Sequence, residues 1–238
     1  MCAIFGSYNK SMFEILHGAN LDRGSWGGSL TSIRAIKNIS PNSAEYDDIK
    51  SNGGVEIERW SGSNNKIART LKGNKSNQFL GHLQAPTGSE RKWDERFTHP
   101  FVVGSWVIAH NGVITNQSEL IKEYNNSKKV AVDSQLIPII TNSIGSSSGN
   151  IKHIDILQKA LSKLEGTFSV WVYNKKNKKV YIARQGSTLF ADDNGNFSSV
   201  NSKNEWEEVK EGKIFEVSKK GPILVGQFNN NSPFFRLV

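Results

Sequence analysis

Cys2 is the only cysteine in this 238-residue chain, and it stands directly behind the initiator methionine. Cysteine is small, so removal of Met1 is expected, which leaves a thiol and a free α-amine on one residue. An α-amine titrates near ~7.7–8.0 and a thiol near ~8.5, so near neutrality the amine can act as base for its own nucleophile. A second pair with chemical potential is Asn111-Gly112, which follows the apolar run at residues 106–109. A carboxamide and a glycine N–H side by side can serve as the two donors of an oxyanion hole, each worth ~3–4 kcal/mol to a tetrahedral intermediate. Both features also have ordinary readings. A lone cysteine packs as a small hydrophobe, and Asn-Gly at a strand end is a hairpin turn. A helix-opening pattern, Asn116 with Glu119, follows Asn111-Gly112 where a hairpin would need a second strand.

These residues need elements to hold them. Ala3-Ile4-Phe5 reads as a short apolar strand ending at Gly6, which anchors the terminus in a core. Ser11 and Glu14 have the form of a capping box, and Met12, Phe13, Ile15, Leu16 and Ala19 predict a helix that stops near Arg23-Gly24. Residues 24–54, rich in Gly, Ser and Asn, predict no element. Residues 55–60 alternate as a half-buried strand should, and 79–83 and 106–109 are further strand-like runs. A helix is expected from Asn116 to about Tyr124. Another begins near Ser134, because Pro138 is tolerable only in a first turn. Ile154, Leu157, Leu161 and Leu164 share one helical face before Gly166 ends it. Beyond that point the pattern turns to strands at 167–173, 180–184, 213–217 and 223–228, joined by polar turns that favour antiparallel pairing. Strands, central helices, then more strands predict an α+β layered domain over residues 1–238, with no internal repeat and no long linker.

Composition narrows the function classes. An apolar fraction of 37% with six tryptophans and twelve phenylalanines is that of a globular protein. No apolar run approaches the ~18 residues of a membrane helix, and the start lacks the basic and apolar regions of a secretory signal. A single cysteine excludes an intrachain disulfide, so a cytoplasmic location is expected. The net charge of +8 is scattered. Lys175, Lys176, Lys178 and Lys179 flank Asn177 in a turn, and Lys219-Lys220 precede Gly221-Pro222. No basic stripe interleaves with aromatics, so nucleic-acid binding is not favoured. The five histidines at 17, 82, 99, 110 and 153 lack ligand spacing, which predicts no metal site, and no phosphate-cradling glycine loop is present. No cofactor is expected.

Three polar, glycine-bearing loops are expected after apolar strands: Gly81-His-Leu-Gln-Ala-Pro-Thr-Gly88, Thr98-His-Pro-Phe101 and His110-Asn-Gly-Val-Ile-Thr-Asn116. Taken in order with the Met-Cys start, Arg23-Gly24, Asp133-Ser134, the segment Leu-Glu-Gly-Thr-Phe-Ser-Val ending at Val170, and Ala183-Arg184-Gln-Gly-Ser187, they resemble class II glutamine amidotransferases. These are N-terminal-nucleophile hydrolases typified by the glutaminase domain of glucosamine-fructose-6-phosphate aminotransferase. The matches span about residues 2–190. The resemblance implies a four-layer αββα sandwich with Cys2 at the end of a central strand. It implies attack of the Cys2 thiolate on the side-chain amide of glutamine, a γ-glutamyl thioester, and an oxyanion hole of Asn111 and Gly112. It assigns Asp133 to the substrate α-amine, places Thr87 and Gln84 in the glutamine-binding loop, and sets Arg23 beside the nucleophile.

Two departures stand out. The family's loop usually carries an arginine that clamps the substrate α-carboxylate, and Gln84 occupies that position here. A neutral amide cannot replace a bidentate cation, so Arg91 or Arg96 is a candidate to reach in. The segment after Arg23-Gly24 also lacks the family's usual aspartate. With no synthetase domain recognisable after the glutaminase region, the expectation is a glutaminase that supplies ammonia to a separate synthetase. One candidate acceptor is an acid activated as its adenylate, such as a deazapurine carboxylate. The alternatives are an N-terminal-nucleophile amidase for another amide, motivated by Gln84, and an inactive binding module of the same fold.

Overall fold

The computed structural model describes residues 2–24, 26–34, 53–62, 66–85, 94–124, 130–147, 149, 151–202 and 205–229. In chain order its elements begin with β1 (Ala3–Ser7), α1 (Lys10–Asn20), β2 (Gly27–Ile33), β3 (Val55–Ser61), α2 (Lys66–Leu71) and β4 (Gln78–Gln84). Next come β5 (Phe101–Val103), β6 (Trp106–Ile114), α3 (Gln117–Tyr124), α4 (Leu136–Ser147) and α5 (His153–Leu161). The chain then runs through β7 (Gly166–Asn174), β8 (Lys179–Gln185), β9 (Phe190–Ala191), β10 (Phe197–Ser198), β11 (Glu207–Glu208), β12 (Lys213–Ser218) and β13 (Gly221–Gln227). Short 3-10 turns at Leu21–Arg23, Glu95–Phe97 and Asp133–Gln135 connect them.

The strands form two sheets, ordered β11-β9-β10-β1-β4-β2-β3 and β13-β12-β8-β7-β6-β5, in which every ladder is antiparallel. Strand alternation sorts the apolar side chains into three layers. On β7, Trp171 and Tyr173 face the other sheet, whereas Phe168, Val170 and Val172 face the helices α4 and α5. On β1 and β4, Ile4 and Leu80 face inward between the sheets, whereas Phe5, Phe79 and Leu83 pack under Phe13 and Leu16 of α1. Three apolar layers between four layers of backbone make the αββα sandwich that the resemblance implies. Trp171 donates its indole N–H to Gly81 O at 3.0 Å, which ties the two sheets together beneath the site.

Several local expectations shift. Asn9, not Ser11, caps α1, accepting from Met12 N at 3.0 Å. Asn116 does precede α3, but its side chain bonds Glu165 N and Lys163 O, tying β6 to the start of β7 instead of closing a capping box. The α5 helix ends at Leu161, and Gly166 begins β7. The unpredicted strand β2 is fully buried between β3 and β4. Its sequence, Gly-Gly-Ser-Leu-Thr-Ser-Ile, has no apolar alternation, because Gly28 fits against the Trp60 ring and Ser29, Thr31 and Ser32 are buried polar side chains. Residues 110–114 extend β6 and are not a loop.

Candidate functional site

Cys2 lies one residue before β1, at the end of a strand flanked on both sides, by β4 and β10. The register that pairs Ala3 with Leu83 brings Cys2 level with Gln84 at the end of β4. Ile4 sits on the inner face of its sheet, and alternation puts Cys2 on that face too. Val107 and Ala109 occupy the inner face of the opposite sheet, and the same parity brings Asn111 to it. The thiol and the carboxamide therefore approach from facing sheets.

Ser199 joins the two. Its Oγ accepts the Ile4 N–H at 3.0 Å and lies 3.3 Å from Asn111 Nδ2, which is also 3.4 Å from Ser169 Oγ. Arg23 closes the same knot, donating from Nε to Cys2 O at 3.2 Å and from Nη1 to Ser199 O at 3.4 Å. Gly24 makes that approach possible, since a Cβ there would lie 2.6 Å from the Leu83–Gln84 backbone. Burial pushes the Cys2 thiol up, and the nearby Asp133 charge adds to this. The Ala85 backbone N–H and the Arg23 guanidinium favour the thiolate and oppose the rise.

Gly112 has a backbone that only glycine takes up readily. Its φ is 146°, and a Cβ would sit 2.0 Å from Thr167 O on β7. Gly166, two residues from Phe168 and opposite Ile114, is its counterpart, with φ 115° and a Cβ that would lie 2.1 Å from Val113 O. The two glycines let the end of β6 twist and set the direction of the Gly112 N–H. Asp133 follows at the same end: Oδ2 accepts Ile114 N at 2.9 Å, and Oδ1 accepts Ser134 N at 2.8 Å and Ser134 Oγ at 3.2 Å. Gln135 braces the turn, with Oε1 on Ala131 N at 2.8 Å.

Cys2, Arg23, Gln84, Asn111, Gly112 and Asp133 thus meet at one end of the sandwich. Thr87 and Arg91 lie outside the described residues. Gln84 is buried and donates Nε2 to Phe97 O at 3.0 Å, while its Oε1 has no protein partner among the described residues. Arg96 pairs with Asp94 at 2.6 Å, and its side chain is 81% exposed. Residues whose part in the site sequence reasoning missed are Ser169, which lies within the quoted motif ending at Val170, Ser199, which no motif marks, and a cluster of three buried histidines. His82 stacks on His99 at 3.9 Å between ring centroids, and His99 lies 6.4 Å from His110. Arg59 of β3 holds the His99 segment, donating to Thr98 O at 3.0 Å and Pro100 O at 2.6 Å. Among the described residues no group of His, Cys, Asp or Glu is arranged to hold a metal ion. A cleft of about 1030 Å³ opens elsewhere, at the far end of β1 between Met12, Ile15, Trp206 and Leu224, and none of the candidate residues lines it. No helix among the described residues is long and apolar enough to cross a membrane.

Parts of the chain resemble known proteins, and its fold matches a solved structure. Residues 94–200 match the glutamine amidotransferase domain family. The chain is 25% identical over 144 residues to a 7-cyano-7-deazaguanine synthase of Saccharolobus solfataricus, a match covering 59% of this chain and 30% of that one. It is 25% identical over 154 residues to a glutamine–fructose-6-phosphate aminotransferase of Listeria monocytogenes, covering 61% and 26%. This chain therefore spans less than a third of these curated relatives. Among solved structures, the glutamine phosphoribosylpyrophosphate amidotransferase of B. subtilis superimposes with a TM-score of 0.71 at 15% identity, over 96% of this chain and 49% of that one.

Proposed function

We propose that this chain is a glutamine amidotransferase of the class II, N-terminal-nucleophile type, which hydrolyses the glutamine side-chain amide through Cys2 and hands the ammonia to a synthetase. The observation that carries this reading is the Ser199 knot, which fixes the start of β1 and the Asn111 carboxamide from one hydroxyl. With Met1 removed, the Cys2 α-amine takes the thiol proton and Sγ attacks the amide carbon. The oxyanion that forms is met by the Gly112 N–H and by one N–H of Asn111 Nδ2, which gives up its long 3.4 Å contact to Ser169 Oγ for the charged acceptor. Collapse breaks the C–N bond as the ammonium returns its proton to the leaving nitrogen, giving ammonia and a γ-glutamyl thioester. Water then attacks the thioester, the amine accepts its proton, and glutamate leaves as the thiol is restored.

Asp133 binds the substrate α-ammonium in this reading. Arg23 holds the nucleophile's own carbonyl, so its role is to fix Cys2. With Gln84 neutral and Arg96 paired with Asp94, Arg91 is the remaining cation of the two that the sequence offers for the α-carboxylate. A relative named as a 7-cyano-7-deazaguanine synthase supports an acceptor carboxylate of the deazapurine class, activated as its adenylate by a partner.

The test is intact mass after exposure to 6-diazo-5-oxo-norleucine. The expected outcome is loss of Met1 and one adduct on Cys2, with no adduct on Cys2→Ala. A chain that retains Met1 refutes the mechanism, because the nitrogen is then an amide.

A further inference from the structure

We propose that His110 is a positioning residue for Asp133, acting through the hydroxyl of Ser134; this rests on the reading of Asp133 as the substrate-amine site. His110 Nδ1 lies 2.8 Å from Ser134 Oγ, which lies 3.2 Å from Asp133 Oδ1. His110 and Ser134 are 1% and 4% exposed, so water does not compete for these bonds. The proton directions follow from chemistry. A carboxylate only accepts, so the single hydroxyl proton of Ser134 points at Asp133. The hydroxyl oxygen must then accept, and His110 donates to it from Nδ1–H.

A second bond fixes the neighbouring ring. His82 Nε2 lies 3.1 Å from the His110 carbonyl oxygen, which can only accept, so His82 carries its proton on Nε2. His82 Nδ1 and both ring nitrogens of His99 have no protein partner among the described residues, and His110 Nε2 makes no hydrogen bond of good geometry although the His110 ring also faces the Thr167 carbonyl. All three rings are buried together, and burial holds each of them below the ordinary histidine range, in the neutral form. The consequence concerns charge. Asp133 makes no ion pair among the described residues; its three donors are two backbone N–H groups and one hydroxyl backed by a neutral imidazole. A lysine or arginine in that place would orient the carboxylate equally well but would neutralise it. The His110–Ser134 chain orients it and leaves its full charge for a ligand ammonium.

The experiment compares glutamine with glutaramate, which is glutamine without its α-amine. Ser134→Ala is expected to raise KM for glutamine about tenfold, the scale of a lost hydrogen bond to a charged group. Its kcat should stay within about twofold, and kcat/KM for glutaramate should not change. Ser134→Thr, which keeps the hydroxyl, should restore the wild-type KM. Equal losses on both substrates, or an unchanged glutamine KM, overturn the proposal. If Asp133→Asn also leaves the glutamine KM unchanged, the amine-site reading fails and takes this proposal with it. If Asp133→Asn raises KM and Ser134→Ala does not, the relay alone fails. Independently of activity, long-range 1H–15N spectra should show the Nδ1–H tautomer at His110 and the Nε2–H tautomer at His82. The Nε2–H form at His110 overturns the relay.

Discussion

Ser199→Ala separates a structural contact from a catalytic one. The hydroxyl has two duties: it accepts the buried Ile4 N–H at 3.0 Å, and it faces Asn111 Nδ2 at 3.3 Å. Alanine leaves the Ile4 N–H without a partner, a cost of about 1–3 kcal/mol. In a chain of this size each kcal/mol lowers the melting temperature by about 2–4 °C, so a fall of about 2–12 °C is expected. The second duty affects rate. Asn111 loses one of the two hydroxyls that orient its carboxamide, but the donor itself stays. The loss in kcat should therefore be about tenfold, below the ~10²–10³ that follows removal of an oxyanion donor. KM should hold, since Asp133 and its three donors are untouched. Ser169→Ala is the control, because it removes the other hydroxyl at 3.4 Å and leaves Ile4 bonded. Ammonia release coupled to glutamate dehydrogenase gives kcat and KM, and differential scanning fluorimetry gives the melting temperature. If Ser199→Ala melts lower but keeps its full kcat, the hydroxyl serves the fold alone and the proposed orientation of Asn111 is wrong.

Three further outcomes are expected. Gly112→Ala puts a Cβ 2.0 Å from Thr167 O at a φ of 146°, so it should destabilise the chain by at least ~2 kcal/mol and cut kcat at least ~100-fold; wild-type kinetics would exclude Gly112 as a donor. Gln84→Arg should lower KM for glutamine about three- to tenfold if the α-carboxylate lies beside β4, and an unchanged KM in steady-state assays would place that carboxylate elsewhere. Acid should destabilise the fold well before carboxylates titrate. Burial lowers His17 to about 4 and His82 to about 3, against 6.5 in the unfolded chain, so both are neutral when folded. Their contribution is complete above pH ~6.5 and is lost as pH falls toward the folded values; at pH 5 it has dropped by about 2 kcal/mol per histidine. Melting temperatures that stay flat between pH 7 and pH 5 would contradict this.

How much of this was legible in the sequence varies with the physics of each part. Strongly apolar strands such as β4, β6, β7 and β8 announce themselves, because burial on both faces calls for apolar runs long enough to read. The β2 strand does not, because a strand filled with glycine and small hydroxyl residues carries no hydrophobic period. The extension of β6 through Asn111-Gly112 was hidden as well. The turn-forming character of Asn-Gly is overridden by the ladder to Phe168 and Ser169, and Gly112 uses its freedom within the strand. Candidate residues that stand in their own motif, such as Cys2, Arg23 and Asp133, could be picked out one by one, and the structure brings them to one end of the sandwich. Ser199 could not, since its importance comes only from being brought against residues 4 and 111, far away in sequence. The histidine cluster is similar: spacing argued against metal ligation, but did not reveal that three rings would gather in one buried place.

The hydrogen bond between Ile4 and Ser199 spans 195 residues of chain. A strand that occupies an interior position of its sheet this early in the polypeptide must wait for a partner made near the end of synthesis. While the chain grows on the ribosome, its leading end is an open thread that trimming peptidases can reach. Once residue 199 has emerged and β10 has closed beside β1, the same end is walled in on both sides. In the proposed reading, trimming of Met1 and enclosure of Cys2 are thereby ordered in time by topology alone, with exposure first and enclosure second.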